Sequence, residues 1–219
     1  VMAGTGSNST AEAIDFTRYA EKAGADAVLV VAPYYNKPTQ EGIYQHYKAV
    51  AQSTSLPVFV YNIPGRSVIN ISDATLARLA EIPNIAGVKD ATGDLARVST
   101  LRRLVGDRLV LLSGEDMTVV GFNAMGGRGA ISVSSNIVPK ACAEVQNLTL
   151  KGDFAAALVA QEKLTALHDI MFCETNPIPV KYAAHLMGKC GPEVRLPLVA
   201  PGASSQQAIR EVLSSFALI

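Results

Sequence analysis

Short apolar runs rich in β-branched residues alternate along the chain with longer stretches in which apolar residues recur every three or four positions. A run of the first kind is typical of a buried strand, and a stretch of the second kind is typical of a helix with one apolar face. Their repeated alternation indicates βα units around a parallel sheet. The pattern predicts six strands, at residues 1–3, 27–32, 58–61, 85–89, 109–113 and 129–133.

Capping residues indicate where the helices between these strands begin and end. Ser9 and Glu12 have the spacing of a capping box at the start of the first helix, and Gly24 suits its end. Ser72 predicts the N-terminus of a later helix, and Gly106 predicts the end of another. These signals agree with the apolar periodicity and support the alternation of strands and helices.

The alternation stops at Asp153, and the rest of the chain predicts helices only. Three are expected: one long helix over 154–171, a second opened by Pro177 and Pro179, and a third over 204–216. We therefore expect a βα region at 1–152 followed by a C-terminal helical region at 153–219.

Composition and charge narrow the possible partners. The chain has 219 residues, 49% of them hydrophobic, and its 19 Lys and Arg balance its 19 Asp and Glu. This neutrality predicts no binding to nucleic acid or to an anionic membrane, and no apolar run reaches the roughly 18 residues of a membrane helix. The cysteines Cys142, Cys173 and Cys190 lack CxxC spacing, which argues against a disulfide framework. We expect a soluble protein of the reducing cytoplasm.

Polar residues follow the predicted strands at their carboxyl ends. In parallel α/β folds these ends meet on one face, where reactive groups collect. The residues in question are Tyr34, Tyr35, Asn36, Tyr61, Asn62, Lys89, Asp90, Ser113, Gly114, Glu115, Asp116 and Ser132.

Lys89 is the sharpest candidate among them because it ends an apolar strand. Burial favours the neutral amine of a lysine, and a neutral amine condenses with a ketone or aldehyde to form a Schiff base. The alternative is a lysine that leaves the sheet and pairs with Asp90 or with solvent. Position by itself favours that alternative.

Three further residues have a functional and a structural interpretation. Tyr61 suits proton transfer beside Lys89, or packing within the barrel. Arg66 follows the turn Pro64-Gly65 and suits binding of a carboxylate, or simple exposure at the surface. Tyr35 lies on a loop next to Tyr34 and suits an active-site rim or a subunit contact.

Other chemistries find little support in the sequence. Gly4-Thr5-Gly6 resembles the start of a dinucleotide loop but lacks its third glycine. His46, His168 and His185 share no metal-ligand spacing and each falls in a predicted helix, and no GxSxG motif is present. The sequence predicts no cofactor and no metal.

Taken together, the strand-end segments resemble the dihydrodipicolinate synthase family, within the class I aldolase superfamily that includes N-acetylneuraminate lyase. The resemblance runs in family order along the whole chain. The matching segments are Ala3-Gly4-Thr5-Gly6, Pro33-Tyr34-Tyr35-Asn36-Lys37-Pro38, Tyr61-Asn62-Ile63-Pro64-Gly65-Arg66, Gly87-Val88-Lys89-Asp90-Ala91-Thr92-Gly93, Leu112-Ser113-Gly114-Glu115-Asp116 and Asn176-Pro177-Ile178-Pro179-Val180-Lys181.

The resemblance implies a lyase that condenses pyruvate with aspartate semialdehyde in lysine and diaminopimelate biosynthesis. Lys89 would form the Schiff base, Tyr61 would transfer protons and Arg66 would bind the semialdehyde carboxylate. Gly114 and Ile131 would contact the substrate through backbone and apolar surface. Tyr35 resembles a tyrosine that the family inserts from a neighbouring subunit, so the resemblance also implies a homo-oligomer, a dimer or a tetramer.

The resemblance implies a TIM (β/α)8 barrel, of which this sequence matches all but the first two βα units, with an incomplete (β/α) barrel over 1–152. In the family, the second of those units carries a Gly-Thr-Thr-Gly-Glu loop that binds the pyruvate carboxylate and links the tyrosines. Without that loop we expect impaired activity. A regulatory lysine site is matched in part, by Gly6, Asn8, Glu12 and Tyr34.

Three alternatives stay open at this point. Related sugar-acid lyases share the lysine and the tyrosine, but they generally lack Arg66. A second alternative is a short form that binds pyruvate and turns over slowly. A third is a non-enzymatic barrel remnant, which would have no use for Lys89, Tyr61 and Arg66 together.

Overall fold

The computed structural model describes the whole chain, Val1–Ile219. Five β-strands and eleven α-helices are numbered here in chain order. The strands are β1 (Met2–Gly4), β2 (Ala27–Val31), β3 (Val58–Asn62), β4 (Ile85–Asp90) and β5 (Val110–Ser113). The helices are α1 (Thr10–Lys22), α2 (Gln40–Gln52), α3 (Pro64–Ser67), α4 (Asp73–Leu79), α5 (Ala96–Val105), α6 (Val119–Ala124), α7 (Pro139–Leu150), α8 (Phe154–Glu162), α9 (Thr165–Ile170), α10 (Ile178–Leu186) and α11 (Ala203–Ser215).

The chain divides into two compact units, Val1–Ile131 and Ser132–Ile219. The first contains all five strands and α1 to α6. The second contains a short 3-10 helix, Ser134–Asn136, and then α7 to α11, with a core built around Leu167, Met171 and Leu213. The boundary between a barrel region at 1–152 and a helical region at 153–219 stays a prediction.

The five strands form one parallel sheet in the order β1-β2-β3-β4-β5. Alternate residues point to opposite faces of a strand, and the two faces of this sheet differ in burial. Val28, Val60 and Val88 are buried in a hydrophobic core shared with apolar residues of α1, α2, α4, α5 and α6. The opposite face carries Tyr61 and Lys89, which are only partly buried. The reactive candidates therefore lie on the face that does not belong to this core.

Five of the six predicted strands are confirmed, and the sixth is wrong. Around residues 129–133 only one parallel bridge forms, between Ser113 and Ala130. Ser113 N–H donates to Gly129 carbonyl at 2.8 Å, and Ile131 N–H donates to Ser113 carbonyl at 2.9 Å. Pairing stops there because the chain turns into the 3-10 helix that begins at Ser134.

The long helix predicted over 154–171 is also wrong, since it is two helices, α8 and α9. The break is at Lys163 and Leu164, where the Leu164 N–H donates to the Gln161 carbonyl at 2.9 Å and tightens the last turn of α8. Apolar spacing alone does not show such a break, because the apolar residues keep their period across it.

Two local predictions need correction. Ser9 caps α1 by accepting from the Glu12 N–H, as predicted, but the Glu12 carboxylate accepts from the Ser7 hydroxyl at 2.7 Å and does not close a capping box. The predicted turn at Pro64-Gly65 is the first turn of the short helix α3, because proline suits the first position of a helix.

Candidate active site

Lys89 and Tyr61 lie side by side at the ends of neighbouring strands. The parallel register pairs Tyr61 of β3 with Lys89 of β4, and both side chains point to the same face of the sheet. The Lys89 Nζ lies 4.0 Å from the centre of the Tyr61 ring. This distance is typical of a contact between an ammonium group and an aromatic face, which fixes the position of the amine.

The surroundings of Lys89 favour its neutral form. Burial lowers the pKa of Lys89, and the nearby Arg66 guanidinium lowers it further, whereas the carboxylates of Asp116 and Glu115 raise it. Burial is the largest of these effects, so the net pKa lies below that of an exposed lysine. A larger fraction of the amine is therefore unprotonated near neutral pH and available as a nucleophile.

Tyr61 is in the opposite situation because its charged form is an anion. Burial raises the pKa of Tyr61, Arg66 lowers it and Glu115 raises it. The phenol therefore stays protonated at neutral pH, which lets it donate a proton or hydrogen bond to a group bound at Lys89.

Arg66 lies on α3, one short turn past the end of β3, and its side chain is exposed. The Arg66 charge lowers the pKa of both Tyr61 and Lys89, so the guanidinium belongs to the same group of side chains at the strand ends. The loop after α3 is anchored because Asn62, buried at the end of β3, accepts from the Ile71 N–H at 3.1 Å and donates to Asn70 at 2.8 Å. The fold therefore holds a cation beside the amine and the phenol.

Gly114 joins the loop after β5 to the end of β4. Its N–H donates to the Asp90 carbonyl at 2.7 Å, and a Cβ at this position would lie 2.5 Å from the Ala91 Cβ. Only glycine allows this approach, so the loop and the backbone just past Lys89 are in direct contact. Ile131, predicted to contact substrate, pairs with the other side of Ser113 and is partly buried.

Asp90 does not pair with Lys89, in contrast to the structural alternative considered from the sequence. The Asp90 carboxylate points to the other face of β4, where it accepts from the Arg97 Nε at 3.1 Å. Arg97 also contacts Asp73 at 3.0 Å and donates to the Ile71 carbonyl at 3.0 Å. The sequence reasoning missed Arg97, because an arginine in an amphipathic helix is ordinarily expected at the surface.

Tyr35 is exposed and lies on the loop after β2. Its side chain is 86% exposed, and its φ of 71° is unusual for any residue except glycine. The Tyr35 side chain therefore faces solvent in the single chain.

The four residues of the partial regulatory site lie on α1 and on the loops after β1 and β2. The Asn8 carbonyl accepts from the Asn36 side chain at 2.8 Å, which ties these two loops together. Gly6 packs against β2, because a Cβ there would lie 2.4 Å from the Val31 nitrogen. Glu12 binds Ser7 as described, and Tyr34 is 42% exposed.

Comparison with known proteins decides the family. The model of the dihydrodipicolinate synthetase family matches residues 1–216. This chain belongs to the dihydrodipicolinate synthetase family. A 4-hydroxy-tetrahydrodipicolinate synthase from Rhodospirillum centenum is 53% identical over 219 residues, which are 100% of this chain and 75% of that protein. The family resemblance seen in the sequence is thereby confirmed.

Solved structures of this family share the fold. The dihydrodipicolinate synthase of Aquifex aeolicus has a TM-score of 0.98 and 42% identity, covering 100% of this chain and 75% of its own. The chloride-inhibited enzyme of Acinetobacter baumannii, complexed with pyruvate, has a TM-score of 0.97 and 47% identity, with the same coverage. The chain therefore has the TIM-barrel-like α/β fold of this enzyme family.

No helix is both long and apolar enough to cross a membrane. No group of three or more His, Cys, Asp or Glu side chains is arranged to hold a metal ion.

Proposed function

We propose that this protein condenses pyruvate with aspartate semialdehyde through a Schiff base on Lys89, as a 4-hydroxy-tetrahydrodipicolinate synthase of lysine and diaminopimelate biosynthesis. The observation that carries the proposal is the Lys89 amine, partly buried, with its pKa lowered by burial and its Nζ 4.0 Å from the Tyr61 ring centre. The named relatives and the pyruvate complex of the Acinetobacter baumannii enzyme support the choice of substrates.

The chemistry follows from the two side chains. The neutral Lys89 amine attacks the ketone carbon of pyruvate, and the ketone oxygen leaves as water, so that a protonated iminium forms. This cation withdraws electrons from the neighbouring methyl carbon, which loses a proton to give an enamine. The enamine carbon then bonds to the aldehyde carbon of the second substrate, whose oxygen takes up a proton. The amino group of the second substrate then attacks the new iminium carbon and displaces the Lys89 amine, which closes the ring, releases the cyclic product and restores the amine.

Tyr61 is proposed to transfer protons in these steps. Its protonated phenol lies beside the amine at which the iminium forms, and proton transfer by a positioned side chain contributes about 10²- to 10⁴-fold to rate. Arg66 is proposed to bind the semialdehyde carboxylate, because a guanidinium forms paired hydrogen bonds with a carboxylate. Gly114 and Ile131 are proposed to contact the substrate through backbone and apolar surface.

Borohydride trapping with pyruvate tests the proposal. Reduction of the iminium is expected to fix a three-carbon carboxylate on Lys89, which peptide mapping by mass spectrometry locates. Lys89→Ala serves as the negative control, and Tyr61→Phe is expected to keep trapping but to lose about 10²-fold in turnover. If no pyruvate adduct is found on Lys89, the proposal is contradicted. Turnover with a sugar-acid aldehyde but not with aspartate semialdehyde would assign the protein to the related sugar-acid lyases.

The quaternary structure and regulation belong to the same proposal. We infer a homo-oligomer, a dimer or a tetramer, in which Tyr35 reaches a neighbouring subunit, and an 86% exposed tyrosine held at positive φ supports this. A cytoplasmic location and a partial lysine site at Gly6, Asn8, Glu12 and Tyr34 are proposed from the family resemblance.

The finer fold prediction, a barrel without its first two βα units, also stays a proposal. In its support, β1 has a neighbouring strand on one side only. An apolar groove of about 380 Å³ lies beside this edge, lined by residues that include Val1, Ala3, Phe16 and Tyr19. Phe16 is 52% exposed and Tyr19 is 74% exposed, which is unusual for large apolar side chains on one helix. A further strand and helix would cover this groove. The impaired activity predicted from the sequence has the same basis, because the loop that binds the pyruvate carboxylate in the family belongs to these βα units.

A further inference from the structure

Glu115 is a partly buried carboxylate that the fold itself does not use. Its side chain forms no hydrogen bond and no ion pair. Asp90, the acidic residue directly after Lys89, is by contrast held by Arg97 at 3.1 Å. A carboxylate that loses solvent without gaining a structural partner costs free energy, so its retention in the fold points to a role in the site.

The backbone of Glu115 is held firmly although its side chain is not. The buried Ser113 hydroxyl accepts from the Glu115 N–H at 3.0 Å and donates to the Glu115 carbonyl at 3.0 Å. The preceding Gly114 donates to the Asp90 carbonyl at 2.7 Å and has no room for a side chain against Ala91. Glu115 is therefore fixed one residue past the contact that joins its loop to the backbone after Lys89.

The charge of Glu115 acts on both groups of the proposed active site. It raises the pKa of Lys89 and that of Tyr61, and the pKa of Glu115 is itself raised by burial and by Asp116, against the lowering effect of Lys89. The charged groups that act on the pKa of Lys89 are, in decreasing order of effect, Asp116, Glu115 and Arg66, and the Tyr61 ring centre lies 4.0 Å from its amine. Glu115 opposes the effects of burial and of Arg66 on the lysine.

We propose that Glu115 is a positioning residue, whose carboxylate acts through space on Lys89 and stabilises the cationic iminium formed there. The inference rests on the proposed function, because the iminium belongs to that reaction. Its effect on the free amine does not depend on pyruvate, so the two ideas can fail separately.

Titration of the Lys89 amine tests the proposal directly. Competitive acetylation across a pH series, with each lysine quantified by peptide mapping, gives the midpoint at which Lys89 loses its proton. In Glu115→Gln the midpoint is expected to fall by about half a pH unit or more, because a nearby negative charge that favours the ammonium is removed. Glu115→Asp keeps the charge and is expected to stay closer to the wild type than the Gln variant does.

The matched control is Glu144→Gln, which makes the same change at an exposed position of α7. It is expected to leave the Lys89 midpoint unchanged. Equal midpoints in the wild type and in Glu115→Gln would overturn the proposal, and so would an equal shift in the Glu144→Gln control. The hydrogen bonds between the Ser113 hydroxyl and the Glu115 backbone do not involve the Glu115 side chain, so Glu115→Gln is expected to fold. Glu115→Asp provides a second variant.

Borohydride trapping with pyruvate, run on the same samples, separates the two ideas. If pyruvate is trapped on Lys89, the trapped fraction is expected to fall at acidic pH, where the amine is protonated. In Glu115→Gln this fall is expected at a lower pH than in the wild type, in step with the acetylation midpoint. If the midpoint shifts but no pyruvate is trapped in the wild type, the proposed function fails while the action of Glu115 on the amine stands.

Discussion

At the scale of single residues, the chemistry of this protein depends on where the fold places each ionisable group. The Lys89 amine has a lowered pKa because it is partly buried, and the Asp90 next to it is turned to the opposite face and paired with Arg97. Two adjacent residues of one strand thus lie in different environments, because successive side chains point to opposite faces of a sheet.

His46 offers a prediction at this scale. It is buried on α2, its Nδ1 lies 2.9 Å from the Thr10 hydroxyl and its Nε2 has no partner. Burial lowers the pKa of His46 from 6.5 to about 4. Between these values the unfolded chain binds the proton and the folded chain does not, so the stability that is fully present above pH 6.5 is lost as the pH falls towards 4.

We expect His46 to account for about 2 kcal/mol of the loss in the free energy of unfolding between pH 7.5 and pH 5. Urea unfolding at both pH values gives the loss in the free energy of unfolding for the wild type and for His46→Gln. The difference between the two losses is the contribution of His46. The partly exposed His185 on α10 supplies the control variant His185→Gln. Identical pH dependences for the wild type and His46→Gln would contradict the assignment.

At the scale of elements, the end of β4 is held by a buried ion pair. Arg97 of α5 contacts Asp90 of β4 at 3.1 Å and Asp73 of α4 at 3.0 Å, so a single guanidinium joins three elements. Removing one partner of a buried pair leaves the other charge uncompensated, which is costlier than losing an exposed pair.

Arg97→Met is therefore expected to lower the free energy of unfolding by about 3–5 kcal/mol. Arg78→Met is the matched control, because it breaks a pair with Glu41 in which both side chains are at least half exposed. The control is expected to cost no more than about 1 kcal/mol. Urea unfolding at neutral pH measures the free energy of unfolding of both variants. Equal decreases in the two variants would show that the buried ion pair contributes no more to stability than the exposed one.

At the scale of the sheet as a whole, β1 is paired on one side, with β2, and an apolar groove lies beside it. An unpaired parallel edge with an apolar groove beside it favours association with a further strand. The proposed occupant is a pair of βα units, which would extend the sheet and cover Phe16 and Tyr19.

A polypeptide carrying the first two βα units of a longer family member is expected to bind this chain in trans. Binding would protect the amides of β1 from hydrogen exchange and would raise turnover of pyruvate and aspartate semialdehyde. Phe16→Asp is expected to weaken binding at least tenfold, whereas Phe172→Asp, at a similarly exposed phenylalanine, is not. Unchanged exchange at β1 when the polypeptide is in excess would contradict the proposal.

The sequence by itself determined the five strands, several helix ends and the family. The reason is that apolar period, capping residues and strand-end motifs are local, and each can be read over a few neighbouring positions. Lys89 and Tyr61 were found in this way because each ends a predicted strand, and Arg66 was found because it follows the Pro64-Gly65 turn.

Only the tertiary structure decided the features that depend on contacts between distant residues. The sixth strand was reduced to one bridge at Ala130, and the predicted long helix was divided after Glu162. The pairing of Asp90 with Arg97 and the unpaired carboxylate of Glu115 likewise follow from how loops and helices pack on the sheet. Burial and charge act across space, and a linear pattern of residues does not contain those distances.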